Sequence, residues 1–327
     1  MTLPLKSGDL LRGRFKIKRI IGQGGMGSIY LAEDTRLKGR LCALKEVEHD
    51  KSLNKTLNKQ AQDQFLQEAT VLARLDHPNL PKVSDYFSIG DRDYLVMDYV
   101  PGDDLRTLML KAKHQEKFLK EKEVRSWAFQ LADALIYLHT QNPPILHRDI
   151  KPSNLKLTPS GLLKLVDFGL VKVMAPGEMT ITIIQGQGTA LYTPLEQYGG
   201  DSAHTDIRSD IYSFGATFYH LLTNTPPADA RERFIRPDCM KPMRSINPSI
   251  SQQLDRAILW AMNLHPDERP QNMLQLKDYF TGQPSSFETK LPDLDVIKEF
   301  ASDLDVRNLL IASAALTVIG FIAAVFF

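Results

Sequence analysis

The alternation of apolar and polar residues divides the chain into a strand-rich first part and a helix-rich second part. Over roughly the first 100 residues, short runs alternate with a period of two, which is typical of strands with one buried face. The predicted strands cover residues 15–21, 28–32, 41–47 and 94–97. Apolar residues between Gln60 and Leu75 recur at helical spacing instead, so we predict a small sheet with one helix.

Helical periodicity dominates after Pro101 and predicts a second, larger lobe. The predicted helices cover residues 121–140, 206–223, 251–264 and 271–280. The short segment DYVPGDDL separates the two patterns. We therefore predict an α+β chain with two lobes and a hinge between them. The predicted ranges are 1–14 for an N-terminal segment, 15–97 for the small lobe, 98–104 for the hinge and 105–280 for the helical lobe.

The C-terminal region has a different composition. Residues 281–308 contain Gly282, Pro284, serines and several acidic residues, which predicts a linker. Residues 309–327 follow without any charge or proline, and a helix of this length spans about 28 Å, close to a bilayer core of ~30 Å. A buried core helix is the alternative, but core helices usually have a polar face, and here only Ser313 and Thr317 are polar. We therefore expect one transmembrane helix in contact with membrane lipid.

The flanking charges indicate an orientation for this helix. Lys298 and Arg307 precede it and no charge follows, which favours a cytoplasmic location for the preceding residues. We expect a single-pass protein of the cell membrane. Two interpretations of the end at Phe327 stay open, namely a tail anchor and the beginning of an exported region.

Composition narrows the function classes. The chain has 40 Lys and Arg against 39 Asp and Glu, a formal net charge of +1. No global field therefore draws it to nucleic acid, and we expect no nucleic-acid partner. Its two cysteines, Cys42 and Cys239, cannot form a disulfide framework or a zinc cluster. A local site must carry the function.

The segment IGQGGMGSIY places Gly22, Gly24 and Gly27 in G-x-G-x-x-G spacing. Dinucleotide sites share this spacing, but they require a helix after the glycines. Here residues 28–32 alternate like a strand. A glycine-rich hairpin lets backbone N–H groups approach phosphates without interference from Cβ atoms, and a simple flexible turn is the alternative.

The segment HRDIKPSNLKL holds one carboxylate among bases, with an amide close behind it. Together with the glycine hairpin, the CALK strand, a helical glutamate, the hinge segment and a DFG triplet, it resembles the eukaryotic-type (Hanks-type) serine/threonine protein kinases over about residues 12–280. The segments DIKPSN and PLEQY resemble bacterial members. The resemblance implies a bilobal fold, with a small antiparallel β-rich lobe carrying one key helix and a larger helical lobe. It also implies transfer of the γ-phosphoryl group of ATP to Ser or Thr hydroxyls of proteins.

The resemblance also assigns a nucleotide pocket. Lys45, fixed by Glu68, would hold the α- and β-phosphates, and Asp104 would meet the ribose unless it is a plain turn former. The full set of implied ATP-binding residues is Ile21, Gly22, Gln23, Gly24, Gly25, Met26, Gly27, Ile29, Ala43, Lys45, Glu68, Met97, Asp98, Val100, Asp104 and Lys156.

The implied chemistry rests on few side chains. Asp149 would accept a hydrogen bond from the substrate hydroxyl, because a carboxyl group with an ordinary pKa near ~3.9 is ionised at neutral pH. Lys151, typical of the serine/threonine branch, would neutralise the γ-phosphoryl group, and Lys45 is the third catalytic residue. Asn154 and Asp167 would hold Mg²⁺, or Mn²⁺ in its place, through hard oxygen donors.

The resemblance further implies regulation through the activation loop. Arg148 would bind a phosphate there, and we hypothesise autophosphorylation at Thr180 or Thr182, with a homodimer supporting reaction in trans. Thr189 would line the substrate hydroxyl site, or it is a simple turn residue.

The sequence departs from the family pattern in three places. Pro194 and Leu195 precede Glu196 where Ala-Pro is usual, Leu191 replaces a glycine, and Lys156 replaces an apolar residue under adenine. Lys156 either lays its methylene stem under the ring or weakens nucleotide binding.

Further expectations concern anchors and rival functions. We expect Glu196 to form a buried ion pair with Arg269, and Asp210 to be a structural anchor. A membrane-tethered pseudokinase that acts as a binding module is the main rival function. A kinase that acts on a small metabolite is the second.

Overall fold

The computed structural model describes residues 4–24, 27–48, 55–167, 172–173, 190–198 and 205–281. The small lobe is a six-stranded antiparallel sheet with the strand order β1-β2-β3-β4-β6-β5. The strands are β1 Leu10–Leu11, β2 Phe15–Gly24, β3 Gly27–Asp34, β4 Leu41–Glu48, β5 Val83–Ile89 and β6 Arg92–Asp98. Helix α1, Lys55–Ala73, lies against β5 and β6.

The two faces of this sheet contact different cores, because side chains alternate along each strand. On one face Phe15 and Ile17 pack with Tyr30, Phe87 and neighbouring buried residues into a core of the small lobe. On the other face Ala43, Leu95 and Met97 join the main core, which also contains residues of α1 and of the helical lobe. The main core therefore holds the sheet against the larger lobe.

The larger lobe is helical. Its helices are α2 Leu105–His114, α3 Glu121–His139, α4 Ile207–Thr223, α5 Ala230–Ile235, α6 Met243–Ile246, α7 Gln252–Ala261 and α8 Met273–Thr281. Short strands carry its functional loops, with β7 Ile145–Leu146 paired to β10 Lys172–Val173, and β8 Leu155–Leu157 paired to β9 Leu163–Leu165.

Helix α4 is the centre of the larger lobe, since fourteen of its 17 residues are buried. Asp206 caps its N-terminus by accepting a hydrogen bond from the backbone N–H of Arg208 at 2.8 Å. A Cβ atom at Gly215 would lie 2.6 Å from the Met262 Cγ atom, so glycine permits close packing against the end of α7. Asn224 then ends the helix in the left-handed conformation at φ 54°.

The predicted bilobal α+β architecture is confirmed. The predicted strands at 15–21, 28–32 and 41–47 correspond to β2, β3 and β4, and the four predicted helices after residue 120 correspond to α3, α4, α7 and α8. Among the elements of seven or more residues, β5 and α2 lacked a prediction. In β5 a register shift between Val83 and Asp85 breaks the alternation, and α2 follows a glycine–aspartate turn that conceals its beginning.

Within the described part of the chain, no helix is long and apolar enough to cross a membrane. The predicted span 309–327 and residues 282–308 of the predicted linker lie outside the described residues.

Candidate active site

The site begins with a lysine that the central sheet positions. Lys45 lies on β4 opposite Leu95 of β6, and its ammonium group forms an ion pair with the carboxylate of Asp167, just after β9. The two side chains are 13% and 32% exposed, so the pair is partly shielded from water. Glu68, the predicted partner of Lys45, lies on α1, where its negative charge acts on the guanidinium group of Arg148.

A compact hydrogen-bonded loop presents the second group of side chains. Lys151 Nζ lies 2.8 Å from Asp149 Oδ2, and Asn154 Nδ2 donates to the same oxygen at 2.9 Å. Asn154 also donates to the backbone carbonyl of Asp149 at 2.8 Å. Asp149 Oδ1 is buried and has no hydrogen-bond partner among the described residues. The loop therefore holds Oδ2 of Asp149 by two hydrogen bonds and leaves the buried Oδ1 without a described partner.

Backbone contacts bring the two groups together. The N–H of Val166 donates to the carbonyl of Asn154 at 2.8 Å, which ties the residue before Asp167 to the catalytic loop. The structure thus brings Lys45, Asp149, Lys151, Asn154 and Asp167 to one place, although up to 122 positions separate them in sequence.

A buried aspartate of the helical lobe fixes the backbone of the loop that carries Asp149 and Asn154, which we call the catalytic loop. Asp210 of α4 accepts backbone hydrogen bonds from His147 at 2.9 Å and Arg148 at 2.8 Å, and His139 Nε2 lies 2.9 Å from the same carboxylate. Burial would raise the pKa of Asp210, but the hydrogen bond from His139 and nearby positive charge outweigh it, and the pKa is lowered. The anchor that the sequence predicted at Asp210 is confirmed. The sequence alone did not indicate the contact of His139 with Asp210, because the two residues are 71 positions apart.

Burial and backbone strain mark the same loops. His147 is fully buried, and burial lowers its pKa, which makes it a weaker base than an ordinary histidine. Arg148 and Asp167 adopt φ values of 65° and 67°, a region that residues other than glycine rarely occupy. Such strain often accompanies functional sites.

Opposing effects set the charge of Asp167. Burial alone would raise the pKa of Asp167, but the ammonium group of Lys45 lowers it by more than burial raises it. The pKa of Asp167 is therefore below its ordinary value. The carboxylate is therefore ionised at neutral pH and able to bind a cation.

We call the region between the small-lobe sheet and the loops that carry Asp149 and Asp167 the cleft, and the predicted ATP-binding residues of the sheet lie on its upper side. Ile21 and Ile29 pack half-buried against the main core, and Ala43 lies opposite Met97 across β4 and β6. Gln23 is exposed on β2. Gly22 lies opposite Ile29 in the sheet, and Gly24 ends β2, whereas Gly25 and Met26 lie outside the described residues.

Packing within the sheet also requires a glycine at the third position of the motif. Gly27 has φ 144°, and a Cβ atom there would lie 1.9 Å from the carbonyl oxygen of Glu46. Only glycine fits at this distance, so Gly27 is required by the packing of β3 on β4 as well as by any approach of phosphate.

The hinge and the lower wall are joined through their backbones. Asp98 ends β6 and Val100 is buried beyond it. Asp104 forms a bridge with Lys156, and its side chain caps α2 by accepting a hydrogen bond from the N–H of Thr107 at 2.8 Å. The turn-former interpretation of Asp104 is therefore met in the structure, and Lys156 lies half-buried directly beside the hinge.

The structure describes some of the residues predicted to act on the substrate side. Arg148 is 6% exposed, and burial lowers its pKa. Thr180, Thr182 and Thr189 lie outside the described residues. The predicted ion pair of Glu196 with Arg269 is confirmed, with N···O distances of 2.6 and 3.0 Å.

The donor set suits a divalent cation that also binds phosphate. No group of three or more His, Cys, Asp and Glu side chains able to hold a metal occurs among the described residues. Asn154 and Asp167 supply an amide and a carboxylate oxygen, and Mg²⁺ typically binds through such few protein oxygens plus phosphates and water. The residues present therefore fit an ion that arrives with a nucleotide.

Comparison with known proteins agrees with this geometry. A probable serine/threonine-protein kinase of Streptomyces coelicolor is 34% identical over 84% of this chain and 41% of its own length. The serine/threonine-protein kinase PknB of Mycobacterium leprae is 30% identical over 90% of this chain and 47% of its own length. The chain thus spans less than half the length of these relatives.

Solved structures give the same result. The kinase domain of Mycobacterium tuberculosis PknI aligns with a TM-score of 0.63 and 26% identity, over 85% of this chain and 99% of that one. The apo form of PpkA-294 aligns with a TM-score of 0.66 and 26% identity, over 84% and 99% of the two chains. The protein kinase domain model matches residues 15–280. The chain belongs to the protein kinase family, whose members use ATP and a divalent metal ion.

Proposed function

We propose that the chain is an active serine/threonine protein kinase that transfers the γ-phosphoryl group of ATP to Ser or Thr hydroxyls of proteins. The observation that carries the proposal is the buried Oδ1 atom of Asp149, which has no hydrogen-bond partner among the described residues. Lys151 and Asn154 bind the other carboxylate oxygen, Oδ2. A buried acceptor of this kind suits a substrate hydroxyl.

The residues present divide the work of phosphoryl transfer. Asp149 accepts a hydrogen bond from the substrate hydroxyl and orients its oxygen toward the γ-phosphorus. A new P–O bond forms as the bond to the ADP oxygen breaks, and the hydroxyl proton passes late to Asp149. Lys151 offsets negative charge on the transferred group, and Lys45 holds the remaining phosphates.

Asn154 and Asp167 would hold Mg²⁺, or Mn²⁺ in its place. When bound, the ion neutralises charge on the β- and γ-phosphates. Because Asp167 forms an ion pair with Lys45 in this structure, we expect Lys45 to shift toward phosphate when the nucleotide enters.

A comparison of full chains tests this activity. The parent protein and an Asp167→Ala variant are incubated with Mg-ATP and a generic basic protein substrate. We expect the variant to lose about 10²–10³-fold or more of the rate. Equal incorporation, or none in either protein under varied metal and pH, would support the pseudokinase function.

We also propose membrane attachment and activation-loop regulation. The uncharged segment 309–327 supports a single-pass anchor with the kinase domain in the cytoplasm. The buried Arg148 supports binding of a phosphate at Thr180 or Thr182, with reaction in trans through a homodimer. Phosphate mapping that finds neither threonine modified, with full activity in the double alanine variant, would refute this regulation.

A further inference from the structure

Helix α4 carries a row of polar side chains, of which the site described above uses only the first. Asp210, Ser213, Thr217 and His220 follow each other at intervals of three and four residues, so they lie on one face of the helix. The first three are buried, and buried polar side chains in proteins have hydrogen-bond partners. The partners of this row therefore show which segments the helix holds in place.

The row holds the catalytic loop and a second segment on the substrate side. Thr217 Oγ1 donates to the carbonyl of Ile150, which lies in the catalytic loop, at 3.2 Å. Ser213 Oγ donates to the carbonyl of Tyr192 at 2.8 Å. Tyr192 lies three positions after Thr189, the residue predicted at the substrate hydroxyl site. One helix therefore fixes both segments relative to each other.

The last member of the row, His220, binds the side chain of Tyr192. Tyr192 Oη lies 2.7 Å from His220 Nδ1, and the two rings are stacked with their centroids 6.0 Å apart. Burial lowers the pKa of His220 to about 4 and raises the pKa of Tyr192 to about 12, so both side chains are neutral at pH 7. When Nδ1 accepts from the hydroxyl group, the ring proton is on Nε2, for which the described residues supply no partner. The half-buried histidine then has an N–H donor for a ligand.

Two cations of helix α2 lie close to this pair. After burial, the charges that act on the pKa of His220 are those of Lys113 and Arg106, and Arg106 also acts on the pKa of Tyr192. Charges shift a pKa appreciably only at short range. Among the described residues, no carboxylate acts on either pKa. Helix α2 also packs against Pro152–Asn154, so these cations belong to the surroundings of the catalytic loop.

The charge of Arg106 is available to a ligand. Its side chain is exposed, and the described part of the chain offers it neither an ion pair nor a hydrogen bond. The acids that precede it are engaged, because Asp103 pairs with Lys111 and Asp104 caps the helix. Lys113 is also exposed and donates to a backbone carbonyl at 3.1 Å. The helix dipole disfavours a cation in the first turn, so helix stability does not account for Arg106.

We propose that Arg106, Lys113, Tyr192 and His220 form a cationic subsite that binds an acidic side chain of the protein substrate close to the phosphorylated hydroxyl. A carboxylate accepts charge-assisted hydrogen bonds from a guanidinium group and a further bond from an imidazole N–H. A basic side chain would instead meet like charge there. The inference rests on the proposed kinase function and adds a preference among the Ser and Thr sites of proteins.

Peptides that differ at a single position test this preference. Each peptide has one Thr acceptor in a neutral background and carries Asp, Asn or Lys at one position near the acceptor, and kcat/KM is measured with the full chain. At one or more positions we expect kcat/KM for Asp to exceed that for Asn by about tenfold, the worth of a hydrogen bond to a charged group. Lys should fall below Asn at the same position. The difference should lie in KM, because the contact forms before transfer and persists through it.

Variants assign the preference to these residues. Arg106→Gln should reduce the Asp-to-Asn ratio to below about threefold, and Arg106→Glu should reverse the order, so that Lys becomes the preferred residue. His220→Phe keeps an aromatic ring but removes the N–H donor, and it should also lower the ratio. Lys111→Gln is the matched control, because Lys111 lies on the same helix but is paired with Asp103, and its ratio should equal that of the parent.

The outcomes separate this subsite from catalysis and from folding. Phosphorylation of the Asn peptides that is absent from the Asp167→Ala variant, with no advantage of Asp at any position, overturns the subsite and leaves the kinase function standing. An advantage of Asp that survives Arg106→Glu also overturns the subsite. If the parent phosphorylates no peptide and no protein, both proposals fail. Because each ratio compares peptides on one preparation, the fraction of folded protein cancels.

Discussion

Two ion pairs in this molecule have similar chemistry and different surroundings. In the cleft, Lys45 meets Asp167, whose side chain is 32% exposed. In the helical lobe, Arg269 meets Glu196, and the side chains are 0% and 12% exposed. Arg269 also donates to the backbone carbonyls of Asn263, Leu264 and Arg208.

The difference shows how surroundings determine the role of a charge pair. Every direction of the Arg269 guanidinium is occupied by an acceptor, so the pair is fixed and contributes to one folded state. The cleft pair lies at a strained backbone position beside Asp149 and Asn154, and water reaches it. Such a pair is able to exchange its partner for a metal ion or a phosphate.

The largest expected effect comes from breaking the structural pair. Arg269→Met leaves Glu196 as a buried charge without its main partner, and we expect a loss of about 3–5 kcal/mol of unfolding free energy. Chemical denaturation measures it. The double variant with Glu196→Gln should recover part of the loss, because no uncompensated charge then remains. A loss below about 1 kcal/mol in the single variant would contradict the fixed role.

The reverse pattern is expected in the cleft. Lys45→Met should lower the phosphorylation rate by about 10²–10³-fold, because positive charge at the phosphates is lost. The unfolding free energy should change by less than about 1 kcal/mol, since the pair is partly exposed. Initial rates and denaturation on the same preparation test both statements. Lys122→Met is the control, because Lys122 is exposed on α3 and forms no ion pair among the described residues.

A pH dependence of stability should come from the helical lobe. Burial lowers the pKa of His220 to about 4 from an ordinary 6.5, and Tyr192 Oη lies 2.7 Å from its Nδ1 atom. Because the unfolded chain binds the proton first, stability should fall as pH falls from about 6.5 to about 4, by up to about 3 kcal/mol. The pKa values of the Asp167 and Asp210 carboxyl groups are lowered, so the stability that these groups contribute is lost only as the pH falls below the ordinary pKa of aspartate.

Denaturation midpoints across this pH window measure the effect. A His220→Gln variant should show a flatter profile between about pH 4 and 6.5, because the side chain at position 220 no longer titrates there, whereas the buried His147, whose pKa is also lowered, retains part of the slope. An unchanged slope in that variant would assign the effect to other groups.

The smallest expected effect concerns the lower wall of the cleft. Lys156 is half-buried and its backbone is bridged to Asp104, which suits a methylene stem under the adenine ring. Lys156→Leu should then change the KM for ATP by less than about threefold, because leucine offers similar apolar surface. ATP binding more than tenfold tighter in the variant would show that the lysine weakens nucleotide binding.

Local pattern was sufficient for much of the fold and less of the site. The period-two runs of β2, β3 and β4 and the helical runs of α3 and α4 were predictable, because each element buries one face. The β5 strand was not predicted, because the register shift between Val83 and Asp85 breaks its alternation of apolar and polar residues. The pair of Lys45 with Asp167 was not predicted, because it depends on how the end of β9 lies beside β4, which no local pattern encodes.

The sequence by itself indicated, through the family resemblance, which residues are candidates for the chemistry. It also determined which face of each strand and helix is buried, since residue types and their spacing are local properties. Only the tertiary structure decided which charges meet. Asp210 forms hydrogen bonds with His139 and with two backbone N–H groups, and Gly27 is required by the carbonyl oxygen of Glu46. These contacts join distant parts of the chain, so they depend on long-range packing.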